Sequence, residues 1–132
     1  MSMKHPALFI AQSTNAGRGV FSTQDLSKGD AIESCPVIVI PKLEVPLIHK
    51  TFLHDYYFIW KKGKCAIALG YGSLYNHSPT PNADYEMDFQ NQTIDVFCTK
   101  DIKAGEEITV SYILEDDTKK KLWFEVEKIG HS

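Results

Sequence analysis

The 132-residue chain lacks most of the features that announce a dedicated function. It holds one arginine, Arg18, beside thirteen lysines, and seventeen acidic residues leave a net charge of −3. That balance argues against the basic face of a nucleic-acid binder. Cysteines are few. Cys35, Cys65 and Cys98 form no CxxC pair, so a zinc module is not expected and buried thiols are. The histidines His5, His49, His54, His77 and His131 are scattered, and none of them falls at the i,i+4 spacing that puts two ligands on one helix face. No metal site is expected. The longest apolar stretch, 35–41, is far below the ~20 residues of a membrane-spanning helix. The N-terminal residues carry no apolar segment of the kind a secretory signal needs. There is no GK[ST] phosphate loop, no third glycine of a dinucleotide fingerprint, and no Ser/His/Asp or paired-carboxylate pattern. Internal repeats and low-complexity tracts are also missing.

What remains is an ordinary globular composition, 43% hydrophobic and 23% charged, in one domain's length. Short apolar segments alternate with turn signals. Strands are expected over 7–11, 19–22, 31–40, 65–69, 83–89, 93–100 and 108–112. The run Val37-Ile38-Val39-Ile40 is the most β-branched, and Pro36 beside it predicts a bulge or an edge position. Gln90-Asn91-Gln92 reads as a hairpin turn. Leu47, Ile48, Phe52, Leu53 and Tyr56 recur at helical spacing and predict a short helix. A second helix is expected after Asp117, with Leu122, Val126 and Ile129 on one face. The fold class is therefore mostly β, with one or two short helices.

Three segments carry candidate chemistry. Asn15-Ala16-Gly17-Arg18-Gly19-Val20 sets glycines around one residue just before a strand, where backbone can approach a ligand closely. Tyr75-Asn76-His77-Ser78-Pro79-Thr80-Pro81-Asn82 is a polar loop stiffened by two prolines. Gly105-Glu106-Glu107-Ile108-Thr109-Val110-Ser111-Tyr112 is a turn and strand ending in a tyrosine. Each has a plain structural reading by itself: a turn, a surface loop, a packed tyrosine.

In this order, the three segments resemble the SET-domain family of protein lysine methyltransferases, over about residues 9–112. GRGVFSTQDLSKGDAI is similar to the family's opening, and HDYYF (54–58) to its central tyrosine segment. NHSPTPNA resembles the NHSxxPN motif, and GEEITVSY the closing GEE(L/I)xxxY motif. The resemblance is to the minimal single-domain type found in viruses and bacteria. It implies a single domain over 1–132, with a β-clip core and a helical tail at 113–132. A C-terminal pseudoknot would bring the NHS loop beside the terminal tyrosine.

The resemblance also implies function. S-adenosylmethionine would be the cofactor, held by Gly17, Arg18, Gly19, Tyr56, Asn76, His77 and Tyr112. Arg18 would add a charge to its carboxylate end. Tyr112 and Tyr56 would be the catalytic tyrosines, and Tyr75, Trp123 and Phe124 would line the substrate channel, with Tyr57 or Tyr71 as further aromatics. The implied partner is a protein presenting a lysine, a histone or histone-like protein among the candidates, and a homodimer is one route to specificity. The tail has no cysteine, so the family's zinc-bearing closing module is not expected, and Trp123 or Phe124 would serve as an aromatic lid. The expected compartments are the cytoplasm, the nucleus or nucleoid, or a host cell into which the protein is delivered. A non-catalytic module of the same fold, binding a partner or small ligand, is the alternative.

Overall fold

In the computed structural model of the chain, residues 7–14 and 17–130 are described, residues 122–130 by their backbone alone. Among the described residues nine strands and two α-helices follow one another: β1 (Leu8–Gln12), β2 (Arg18–Ser22), β3 (Ala31–Ile40), α1 (Val45–His49), β4 (Tyr57–Ile59), β5 (Cys65–Ala68), β6 (Asn76–His77), β7 (Ala83–Asp88), β8 (Thr93–Cys98), β9 (Glu107–Val110) and α2 (Ile113–Gly130). They form two sheets, one ordered β1-β2-β9-β6 and the other β4-β5-β3-β8-β7. None of the described helices is long and apolar enough to cross a membrane.

Strand chemistry accounts for the larger sheet. The β-branched half of β3 pairs with β5, Val37 opposite Ala68 and Ile40 opposite Cys65. Its first half pairs with β8. The β7–β8 hairpin forms as expected, and Gln92 takes a φ of 54° in its turn. Val20, Ile32, Phe58, Val96, Ile108 and Val110 share the main core, drawn from both sheets. A smaller cluster joins Val45 of α1 to Tyr57 of β4 and Cys65 of β5. All three cysteines are buried, in keeping with the expectation of buried thiols.

Three local expectations are corrected. Pro36 makes neither a bulge nor an edge. It sits in the central strand where β3 changes partner from β8 to β5, while the register shift falls between Ala31 and Glu33. At that changeover the missing N–H costs little, and the Pro36 carbonyl still accepts from the Leu69 amide at 2.9 Å. The segment around 43–60 is not one helix. It breaks into a 3₁₀ turn (Lys42–Glu44), α1, a second 3₁₀ turn (Phe52–Asp55) and β4. Thr51 starts the second turn by accepting from the Leu53 amide. Of the apolar residues that suggested a helix, Leu47, Phe52 and Leu53 are exposed. Finally, α2 begins at Ile113, ahead of the acidic pair.

His49 ties α1 to β4. It is buried, its Nδ1 lies 2.6 Å from the Tyr57 hydroxyl, and its ring packs on His54 at 4.2 Å. Burial, then the neighbouring His54 and Lys119, lowers its pKa to about 4 from 6.5. Protonation therefore favours the unfolded chain between those values. The His49 contribution is complete above pH 6.5 and disappears as pH falls toward 4, worth up to about 3 kcal/mol. Urea melts across that range should show wild type losing stability more steeply than His49→Gln. Equal slopes would mean that His49 is not held neutral.

Candidate functional site

The site is assembled where β6 runs parallel to β9, with Asn76 opposite Thr109 and His77 opposite Val110. On its other side β9 pairs antiparallel with β2. Three segments far apart in sequence thus meet at one end of one sheet: Gly17–Gly19, Asn76–His77 and Tyr112.

Side chains lock this arrangement. Asn76 Nδ2 donates both to the Arg18 carbonyl and to Glu107 Oε2, each at 2.7 Å. Ser13 Oγ donates to Glu107 Oε1 at 2.6 Å. The Glu107 carboxylate lies so close to β2 that a Cβ on Gly19 would stand 2.3 Å from Oε2. The second glycine is required for that approach, whereas Gly17 is required for its φ of 70°. Asn82, the last residue of the NHSPTPN segment, grips the same strand. Its Nδ2 donates to the Glu107 carbonyl and its Oδ1 accepts from the Thr109 amide, both at 2.9 Å.

His77 Nδ1 accepts from the Tyr112 amide at 2.9 Å, which places the proton of a neutral ring on Nε2. The Tyr112 hydroxyl donates to the Tyr75 carbonyl. Burial first, then Asp116 and Glu115, raises the Tyr112 pKa above the ordinary range, so its hydroxyl keeps its proton at any working pH. Behind it Tyr75 donates to Glu33 Oε1 at 2.6 Å, and Glu33 Oε2 accepts from the Tyr71 amide at 3.0 Å. Burial and then the Glu33 charge raise the Tyr75 pKa as well.

Tyr112 and Tyr56 line one narrow cleft, together with Tyr57, Phe58 and Ser73 on β4 and its neighbours and Glu115, Asp116 and Lys119 from α2. Glu115 Oε2 accepts from the Ile59 amide at 2.9 Å and so pins α2 against β4. Burial raises the Glu115 pKa.

The structure thus brings together Gly17, Arg18, Gly19, Asn76, His77, Tyr56 and Tyr112. Tyr75 is corrected in its mode of contact. It reaches the site through its carbonyl, while its ring is buried and held on Glu33 instead of lining the cleft, because its hydroxyl needs a partner inside the core. Tyr71 points its hydroxyl to the Leu8 carbonyl, whereas Tyr57 lines the cleft. The side chains of Trp123 and Phe124 lie outside the described residues. Sequence reasoning quoted Glu107 and Asn82 inside motifs without giving them a role, and passed over Glu33, Glu115 and Lys119. A charged residue within an apolar strand, as at Glu33 and Glu107, was the available signal.

The Glu107 carboxylate should be sensitive to shape more than to charge. Glu107→Gln keeps an oxygen for Asn76, since the Ser13 hydroxyl can turn to accept from the new amide. Glu107→Ala leaves Asn76 short of an acceptor and should cost about 1–3 kcal/mol in urea melts. Gly19→Ala, which expels the carboxylate, should resemble Glu107→Ala. Equal stability of all three variants and wild type would remove Glu107 from this role.

Comparison with known proteins agrees with this geometry. The SET domain family description matches residues 17–113. The chain is 35% identical over 121 residues to a Schizosaccharomyces pombe protein named "Histone-lysine N-methyltransferase, H3 lysine-37 specific", spanning 91% of this chain and 78% of that one. A crystal structure of a Plasmodium falciparum protein assigned as a histone methyltransferase is similar, with a TM-score of 0.69 and 34% identity over 83% of this chain and 95% of that one. A chain of a humanized mutant of the Chaetomium thermophilum Polycomb Repressive Complex 2 shares the fold at a TM-score of 0.68 and 19% identity, over 83% of this chain and 15% of that one. With the family's ordered segments now joined at one sheet end, the chain belongs to the SET-domain family of protein-lysine methyltransferases.

Proposed function

We propose that this enzyme moves methyl groups from S-adenosylmethionine to the ε-amine of lysine in a protein, with histone H3 the first substrate to try. The observation that carries the reading is the convergence of Gly17–Gly19, Asn76–His77 and Tyr112 beside a cleft walled by Tyr56 and Tyr57. The relative's name supports histone H3 as the acceptor.

The residues present fit the cofactor. Backbone of the 17–19 turn, the side-chain oxygen of Asn76, the outward Nε2–H of His77 and the phenol oxygen of Tyr112 make a neutral, polar set of donors and acceptors, suited to an adenine and a zwitterionic amino acid. Arg18, exposed beside them, would meet the carboxylate end. When bound, S-adenosylmethionine supplies an electrophilic methyl group on a sulfonium. The chain's own work is alignment. Tyr112, fixed through its amide to His77 and through its hydroxyl to the Tyr75 carbonyl, presents a phenol oxygen to the cleft without a rotamer search. Tyr56 and Tyr57 provide aromatic walls for an alkylammonium.

The acceptor must lose its proton. At pH 7 only about one lysine in ~2,500 is a neutral amine, given a reference pKa near 10.4. Burial between aromatic walls lowers that pKa, and Asp55, Glu115 and Asp116 are the carboxylates lining the cleft that can take the proton. Residues 9–112 act as the catalytic core in this reading and 113–132 as its closing tail.

Titration calorimetry should give S-adenosylmethionine a Kd of tens of micromolar or tighter, roughly −6 kcal/mol or better. No binding would favour a non-catalytic module of the same fold. Tyr112→Phe should lower kcat at least about 100-fold, comparable to losing one preorganised polar contact to the transition state, with the melting temperature little changed. Unchanged turnover would refute the role given to Tyr112.

A further inference from the structure

Lys119 is the one lysine among the described residues that is buried, with 6% of its surface exposed. Long basic side chains ordinarily bury their stems and keep the charged head in water. Here the head is inside. Its Nζ lies 4.1 Å from the centre of the Tyr57 ring, within cation–π range. Asp55, from the 3₁₀ turn facing α2, and Glu115 and Asp116, one helical turn before it, surround it with negative charge. Burial lowers the ammonium's pKa and these carboxylates oppose that shift.

Its position is as informative as its partners. Lys119 lines the narrow cleft that Tyr56 and Tyr112 share. With Asp55 and Asp116 it also lines a wider outer pocket, whose remaining wall is His54 and Lys120. It therefore stands at the junction of the two cavities. An aromatic face and carboxylates around an alkylammonium are what the end of an acceptor lysine demands, and the chain has filled that place with a lysine of its own.

We propose that Lys119 is an internal occupant of the lysine-acceptor cleft, and that a substrate lysine enters by exchanging with it. This rests on the methyltransferase reading of the same cleft. One cation replaces another on the Tyr57 wall, so the three carboxylates stay compensated throughout. The displaced amine turns outward into the outer pocket, where Asp55 and Asp116 still face it. Without substrate, the cleft is closed by the protein's own side chain.

The test uses intact protein without cofactor, acetylated by an amine-reactive ester and mapped lysine by lysine by mass spectrometry. In the free protein Lys119 should react at least about tenfold more slowly than the exposed Lys28 and Lys62, as a group reached only by local opening does. Saturation with a histone H3 peptide should raise its reactivity toward theirs, and the same peptide with norleucine for lysine should not. By calorimetry Lys119→Met, which keeps a linear side chain on Tyr57 without the charge, should bind the lysine peptide at least about fivefold more tightly. A Lys119 that reacts like Lys28 in the free protein overturns the proposal, and so does one still protected under bound peptide. Peptide that is bound, and is methylated once S-adenosylmethionine is added, while Lys119 stays protected rejects the exchange alone. Peptide bound by neither protein rejects the methyltransferase reading with it.

Discussion

The parallel contact between β6 and β9 is the constraint on which the remaining geometry depends. It is short, only two residues on the β6 side, and parallel pairs of that length hold poorly by backbone bonds alone. Side chains reinforce it from three directions. Asn76 reaches across to β2, Asn82 grips the backbone of β9, and His77 receives the Tyr112 amide just past the strand's end. Release any of these and the tyrosine loses its fixed place relative to the glycine turn. Glu107 joins the same knot of contacts from within, its carboxylate shared between Asn76 and Ser13.

A second layer holds this one in position. Tyr75 immediately precedes β6, and its ring is anchored on Glu33 in the central strand of the other sheet. Glu33 also holds the Tyr71 amide, in a turn where Gly70 leaves room for the carboxylate. The Tyr75 carbonyl, and with it the Tyr112 hydroxyl, is thereby referenced to the core of the molecule instead of to a surface loop. On the opposite wall of the cleft α2 is set by Glu115 on the Ile59 amide and by Lys119 on Tyr57. Tyr56, just before β4, and Tyr112, just after β9, can then face one cavity, although β4 and β9 lie in different sheets.

Much of this was legible in the sequence and some of it could not be. The β-branched end of β3 and the Gln90-Asn91-Gln92 hairpin announce themselves by local chemistry, and the motif segments mark the glycine turn, the Asn76-His77 loop and Tyr112. The helical spacing of Leu47, Ile48, Phe52 and Tyr56 misled because it assumed that periodic apolar residues face a core. Leu47 and Phe52 face solvent, and Thr51 restarts the chain as a separate turn. The β6–β9 contact leaves no periodic trace, since its partners are about thirty residues apart. Lys119 stands at the head of Lys119-Lys120-Lys121, and a charge run reads as a solvated face. Only the fold reveals that its first member points inward.

The role proposed for these joined segments is the transfer of a methyl group to a lysine nitrogen. The most direct measurement supplies the protein with S-adenosylmethionine carrying a trideuterated methyl group and a mixture of core histones, then maps the heavy label by tandem mass spectrometry. Trideuteromethyl groups are expected on lysine ε-nitrogens, concentrated on histone H3 and absent when the enzyme is omitted. Histones that remain unlabelled while the protein is shown to bind the cofactor, or label found on other atoms than lysine nitrogen, would contradict it.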